Sequence, residues 1–91
     1  MTSYEFEVAA KNAAIQTIKY KYDIIVDIED INLVWFTHLL GNKKCMLFAP
    51  QIEYAYIEVT YSKEKNEMYV DVYEKAMNII VSSDKFNFEV E

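Results

Sequence analysis

Residues 54–73 read YAYIEVTYSKEKNEMYVDVY, and this stretch decides the fold. On both sides of the polar tetrapeptide KEKN at residues 63–66, apolar and polar side chains alternate along the chain. Alternation over about four to eight residues is typical of strands with one buried face, and a short polar segment between two such runs is typical of a hairpin. The stretch therefore predicts two antiparallel strands joined by a tight turn.

The alternation also predicts which residues lie opposite one another. Matching the apolar faces sets Val59 opposite Val70, and it then sets Glu58 opposite Asp71 on the other face. Like charges that face each other across a sheet are destabilising, and departures from consistent patterning tend to fall at functional sites. The acidic pair therefore marks a candidate site. Its predicted neighbours are the pairs Thr60 with Tyr69 and Tyr56 with Tyr73.

An amphipathic helix is predicted at the start of the chain. Thr2 and Glu5 have the spacing of a capping box, so the helix should begin at residue 2 or 3 and run to about Tyr22. At about 100° per residue, one stripe of this helix carries most of the apolar side chains. The residues of the stripe are Tyr4, Val8, Ile15, Ile18 and Tyr22.

A second hairpin is predicted between the helix and the first stretch. Residues 31–40, INLVWFTHLL, are rich in β-branched and aromatic side chains, and Gly41 with Asn42 is a suitable turn before KCMLFA. Residues 23–30 are predicted to be mostly loop. A turn at residues 41–42 pairs Trp35 with Phe48, Phe36 with Leu47, and His38 with Cys45.

Together these elements predict an α+β fold in a single domain of residues 1–91. An N-terminal helix packs on an antiparallel meander of about four strands, followed by a short C-terminal helix or strand. Residues 74–81 suit either of these, and the tail from about residue 82 is predicted to be an edge strand or flexible. The side chains expected to be largely buried are Trp35, Phe36, Leu47, Ile57, Val59 and Val70.

Composition restricts the classes of function. Fifteen acidic and nine basic residues give a formal charge of −6, and every basic residue is a lysine. Direct binding to nucleic acid is therefore not expected, because that affinity comes chiefly from basic side chains on phosphates. One cysteine excludes an intrachain disulfide, and no secretory signal or apolar run long enough to span a membrane is visible. We expect a cytoplasmic protein.

Two runs resemble a family of small uncharacterised proteins from phages and prophages of Gram-positive bacteria. They are NLVWFTHLLGNKKCMLF at residues 32–48 and IEVTYSKEKNEMYVDVYEK at residues 57–75. The matching positions are Val34, Trp35, Asn42, Lys43, Glu58, Val59, Thr60, Tyr61, Asn66, Glu67, Tyr69, Asp71, Tyr73 and Lys75. The resemblance implies a small accessory phage protein, of a size often used to inhibit or redirect a host system, and it transfers no activity.

The candidate site has two interpretations. Glu58 and Asp71 either receive a lysine or arginine of a partner, or they lie solvated beside lysines of this chain. Tyrosine offers rigid contact area with a polar tip, which favours a partner-binding surface, although aromatic pairs also stabilise sheets. The predicted partner-binding residues are Tyr56, Glu58, Tyr69, Asp71 and Tyr73.

Other reactive side chains give weaker evidence of a functional site. His38 and Cys45, as predicted neighbours, form a pair that could activate a thiolate nucleophile. The favoured interpretation is a core histidine beside a buried, inert thiol. Asp27, Glu29 and Asp30 lack the glycine and ligand order of a calcium loop, so they are predicted to form a solvated acidic turn. We expect no catalytic residues, no metal site and no cofactor.

The sequence thus favours a non-enzymatic phage accessory protein. We expect it to act in the host cytoplasm, where it would modulate or inhibit a host protein with a basic surface, such as a defence component. The alternatives are an acidic mimic of DNA, or a small enzyme or metal binder centred on Glu58 and Asp71. A hairpin that is apolar on both faces also needs cover on both, so a homodimer is expected unless residues 76–81 fold back as the second cover.

Overall fold

The computed structural model describes residues 1–77 and residue 79. An α-helix, α1 (Ser3–Tyr22), precedes an antiparallel sheet with the strand order β1-β2-β3-β4. The strands are β1 (Asn32–Leu39), β2 (Asn42–Phe48), β3 (Ala55–Ser62) and β4 (Glu67–Glu74), and short 3₁₀ turns lie at Ile28–Asp30 and Pro50–Ile52. The predicted α+β meander is confirmed.

The β3–β4 hairpin has the predicted register. Val59 lies opposite Val70, Glu58 lies opposite Asp71, and residues 63–66 form the turn. The flanking pairs, Thr60 with Tyr69 and Tyr56 with Tyr73, are also confirmed. Period-two alternation sufficed here because a slip of one residue would move every apolar side chain to the wrong face.

The capping box at the start of α1 is also confirmed. The Thr2 hydroxyl accepts the Glu5 backbone N–H at 3.0 Å, and the Glu5 carboxylate accepts the Thr2 N–H at 2.7 Å. The predicted apolar stripe is rotated, however, because Tyr4 is 75% exposed whereas Phe6 is fully buried. The fully buried residues of α1 are Phe6, Ala10, Ala14 and Ile18.

These buried side chains form the core with the facing side of the sheet. The Phe6 ring lies 5.9 Å from that of Phe36, and α1 contacts β2, β3 and β4. Small Ala10 and Ala14 let the helix approach the sheet closely. The buried strand residues that meet the helix are Cys45, Leu47, Ala55, Ile57 and Val59.

The predicted pairing of the β1–β2 hairpin was wrong by two residues. Trp35 lies opposite Met46, Phe36 opposite Cys45, and His38 opposite Lys43. The turn is formed by Leu40 and Gly41, with φ angles of 52° and 85°. Positive φ at both central residues is the geometry of a type I′ turn, which matches the twist of the strands, so Gly41 is needed at the second position.

Moving the turn has a consequence at Asn42. Its side-chain oxygen accepts the backbone N–H of Lys63 at 2.9 Å, which joins the two hairpin turns. A bulge between Leu33 and Trp35 shifts the register again near the start of β1. Bulges bend a strand and increase its twist, which discourages pairing at a sheet edge.

The predicted core was correct for three residues and wrong for Trp35. Leu47, Ile57 and Val59 are buried. Phe36 and Val70 are partly buried at the rim of the core. Trp35 is 40% exposed, because its side chain lies beside Met46 on the side of the sheet away from α1.

The connections complete the described structure. Residues 23–27 are irregular, as predicted, and Val26 with Ile31 anchors this connection in the core. β4 ends at Glu74, and residues 75–77 and 79 belong to no helix or strand. The other residues of the segment at 74–81, and the tail from residue 82, lie outside the described residues.

Candidate functional site

The two faces of the sheet differ in what covers them. The inner face packs on α1, and the outer face carries the alternate side chains of each strand. Within the described part of the chain the only α-helix lies on the inner face. The outer face consists of Trp35, Thr37, Lys44, Met46, Phe48, Tyr56, Glu58, Thr60, Tyr69, Asp71 and Tyr73.

The acidic pair lies in one row across the outer face. Met46 is opposite Glu58, and Glu58 is opposite Asp71. Glu58 is the more enclosed of the two carboxylates, with 15% of its side chain exposed. Lys44 Nζ lies 3.7 Å from Glu58 Oε1, and the Tyr73 hydroxyl donates a long hydrogen bond of 3.5 Å to the same oxygen.

Asp71 is placed differently. It is exposed at the middle of edge strand β4, and among the described residues it has no ion pair or side-chain hydrogen bond. Each of the two interpretations therefore fits one residue of the pair. Glu58 has a lysine of its own chain, whereas Asp71 presents its charge to the surroundings.

The three predicted tyrosines surround this row. Tyr56 contacts the Phe48 ring at a centroid distance of 5.5 Å, and Tyr69 donates to the carboxylate of Glu67. The hydrogen bond to Glu67 raises the pKa of Tyr69, and chiefly the charge of Glu58 raises the pKa of Tyr73. At neutral pH these phenols are therefore protonated, and each combines an apolar ring with a hydroxyl donor.

The structure brings all five predicted partner-binding residues to one surface, and it adds an apolar extension. Trp35 lies in the same row as Met46, Glu58 and Asp71, on the strand furthest from β4. The signal for this was present in the sequence, because residues 31–40 are apolar at both odd and even positions. The prediction placed Trp35 in the core because a strand that is apolar on both faces is usually covered on both.

No activated thiol is built here. Cys45 is fully buried opposite Phe36 and Val59, and His38 lies opposite Lys43. Burial raises the pKa of the Cys45 thiol to about 11. The reactive thiolate is therefore scarce at neutral pH, as expected for an inert core cysteine.

The described part of the chain contains neither a cluster of metal ligands nor a membrane-spanning helix. No three His, Cys, Asp or Glu side chains in that part of the chain are grouped to hold a metal ion. In the acidic turn, the Asp30 carboxylate accepts the Asp27 backbone N–H at 3.0 Å. No helix of the described residues is long and apolar enough to cross a membrane.

The fold and the site define a small α+β domain whose sheet is covered by a helix on one face and presents tyrosines and the exposed carboxylate of Asp71 on the other. Over residues 7–83 the chain matches the Family of unknown function (DUF6275), and it belongs to that family. Membership confirms the predicted resemblance as far as an uncharacterised family. No curated protein and no solved structure matches the chain.

Proposed function

We propose that this protein is a non-enzymatic phage accessory protein that binds a host protein through the outer face and modulates or inhibits it. The resemblance of residues 32–48 and 57–75 to small phage and prophage proteins supports the biological setting, with the host cytoplasm as the place of action. The partner contributes a basic segment, in which a lysine or arginine meets Asp71. Host defence components are a suitable class to test.

Asp71 has no ion pair among the described residues and lies within a group of exposed aromatic rings, and this arrangement carries the proposal. Aromatic side chains and charge-assisted contacts recur among the residues that dominate binding energy. Tyr69 and Tyr73 lie on the same edge strand as Asp71 and on the same face, two residues to either side. A basic side chain that reaches Asp71 would therefore pack its aliphatic stem between two rings, which lowers the cost of desolvating the charges.

Net charge supports a basic partner as well. A chain with a formal charge of −6 attracts a basic surface at long range and speeds the encounter, particularly at low salt. Asp71 is exposed on β4, the edge strand of the sheet that the described residues form, so an extended basic segment has access to it.

A pull-down from bacterial host lysate, quantified by mass spectrometry, identifies the partner. Three baits are compared: wild type, Asp71→Asn, and the matched control Glu64→Gln, which removes a charge from the exposed β3–β4 turn. Truncating one side of a desolvated charge contact costs about 2–5 kcal/mol, so Asp71→Asn should weaken the purified complex by about 30-fold or more. The Glu64→Gln bait should retain the partner.

The stability of the free protein separates the interpretations. Asp71→Asn removes the repulsion from Glu58, so the free energy of unfolding should stay constant or rise by a few tenths of a kcal/mol. A destabilised Asp71→Asn that binds normally would contradict the proposal. A steep loss of affinity with salt for every bait would instead indicate a DNA mimic, because many ionic contacts would then share the binding.

We propose in addition that the protein forms a homodimer. The apolar side chains on the β1–β2 half of the outer face are the surface on which a homodimer would form, and the β3–β4 half would stay available to the partner. Light scattering on the purified protein measures the molecular mass directly.

A further inference from the structure

A second polar site lies on the other side of the sheet, away from the outer face. A half-open cleft of about 360 Å³ lies at the end of the inner face where α1 begins and the two hairpin turns meet. It is lined by Met1, His38, Gly41, Lys43, Tyr61 and Lys63. The lining contains two lysines and one histidine but no carboxylate, in a chain whose formal charge is −6.

Lys43 is the central observation. It is only 5% exposed and is the one buried charged residue of the described chain. Among the described residues it has no ion pair and no side-chain hydrogen bond, and its Nζ lies 5.7 Å from the centroid of the Tyr61 ring. The stem of Lys43 is buried and its ammonium has no counter-charge in that part of the chain, so this position favours a bound anion.

Lys43 is one of the residues that line the cleft. No fully buried side-chain nitrogen or oxygen in the described residues lacks a hydrogen bond, so Nζ keeps some accessible surface. Tyr61, which lies under Nζ, lines the same cleft. The pairing of His38 with Lys43 and of Lys43 with Tyr61 places these three residues in one row across the inner face.

Lys63 is held at the rim of the cleft by the turn geometry. Its backbone N–H donates to Asn42, and its side-chain carbons lie over Gly41. A Cβ on Gly41 would lie 2.3 Å from Lys63 Cδ, a clash that the flexible lysine side chain can relieve by moving, so the positive φ is the stronger requirement for glycine. Lys63 adds a second lysine to the lining of the cleft.

We propose that this cleft binds a small phosphate monoester. A phosphate group carries about −1.5 to −2 charges at neutral pH and three strong acceptor oxygens. A ligand with a phosphate group therefore matches two ammonium groups and an imidazole better than a ligand with a single carboxylate does. Lysine binds phosphate as a point charge. The Tyr61 hydroxyl already donates to Asn66 at 3.0 Å, so its ring face, rather than its oxygen, is left to contact the organic part of the ligand. The volume lies within the range of about 300–1,000 Å³ that is usual for small-molecule sites.

The helix start adds little charge of its own to the cleft. The Glu5 carboxylate and the Thr2 hydroxyl already occupy backbone N–H groups of the first turn. The proposal therefore depends on the lysines, which makes it testable by neutral substitutions.

Amide chemical shifts of ¹⁵N-labelled protein, titrated with inorganic phosphate and with adenosine monophosphate, test the site. Shifts should cluster at His38, Gly41, Lys43, Tyr61 and Lys63, and adenosine alone should produce none of them. Lys43→Met keeps the length of the side chain and removes its charge. Loss of a hydrogen bond to a charged group should weaken phosphate binding by about 10- to 150-fold.

Two further variants keep the proposal falsifiable. Lys63→Met changes an exposed residue, so the fold should persist while binding weakens about two- to fivefold. Lys65→Met is the matched control, because Lys65 is exposed on the same turn but outside the cleft, and its affinity should equal that of wild type. Equal affinity for wild type and Lys43→Met, an equal loss in Lys65→Met, or shifts spread over all lysines would overturn the site.

Discussion

Replacing Phe6 by alanine tests the phase of the helix on the sheet. Phe6 has no exposed surface and packs against Phe36, so its truncation leaves a cavity that costs about 3–5 kcal/mol. A domain of this length has a total stability of about 5–14 kcal/mol, so about a fifth or more of it would be lost. The control is Tyr4→Ala, two residues away and 75% exposed, which should change stability by about 0.5 kcal/mol or less.

Urea denaturation followed by far-ultraviolet circular dichroism measures the difference. With a slope of about 1–3 kcal/mol per molar urea, Phe6→Ala should lower the midpoint by at least about 1 M, with the slope unchanged. If that variant is unfolded, Phe6→Leu, with an expected cost of about 1–2 kcal/mol, gives the same ranking. A larger loss for Tyr4→Ala than for either Phe6 variant would refute the observed helix orientation.

Two other predictions concern the sheet. Leu47→Ala should cost about 2–5 kcal/mol, and Trp35→Ala, on the outer face, about 1–2 kcal/mol despite the larger side chain, because part of the ring is already in water. The reverse order in urea melts would place Trp35 in the core. The Cys45 thiol should react with a disulfide reagent only after unfolding. Because folding raises its pKa from 9.0 to about 11, the thiol stabilises the fold fully below pH 9. This stabilisation should be lost as the pH rises to about 11. Cys45→Ala should not show that loss of stability. If the stabilities of wild type and Cys45→Ala fall in parallel in melts between pH 9 and about 11, the burial of the thiol is not the cause.

Local signals explain which parts of the fold could be predicted. The capping box at Thr2 and Glu5 specifies the helix start through hydrogen bonds within one turn. The β3–β4 register follows from period-two alternation on both sides of a polar turn. These features depend on residues that are close in sequence, so no knowledge of distant contacts is required.

The errors arose where more than one local solution exists. Gly41 suits either position of a two-residue turn, and its choice moved the β1–β2 pairing by two residues. The apolar residues of β1 alternate poorly, so the sequence contained no signal for the bulge near Val34 and did not show which of the two apolar faces α1 would cover. Tyr4 lies within the predicted apolar stripe and Phe6 lies outside it, and only the packing of Phe6 against Phe36 shows which side of the helix is buried.

By itself, the sequence determined the class of fold, the helix start, the β3–β4 register and the grouping of five residues into a candidate site. Tertiary structure decided which side of the sheet the single helix covers, and with it the charge environment of every polar group. It paired Glu58 with Lys44 but left Asp71 without such a partner among the described residues, and it buried Lys43 beside a cleft. The physical reason is that alternation assigns side chains to two faces, whereas burial and ion pairing depend on what distant segments place over each face.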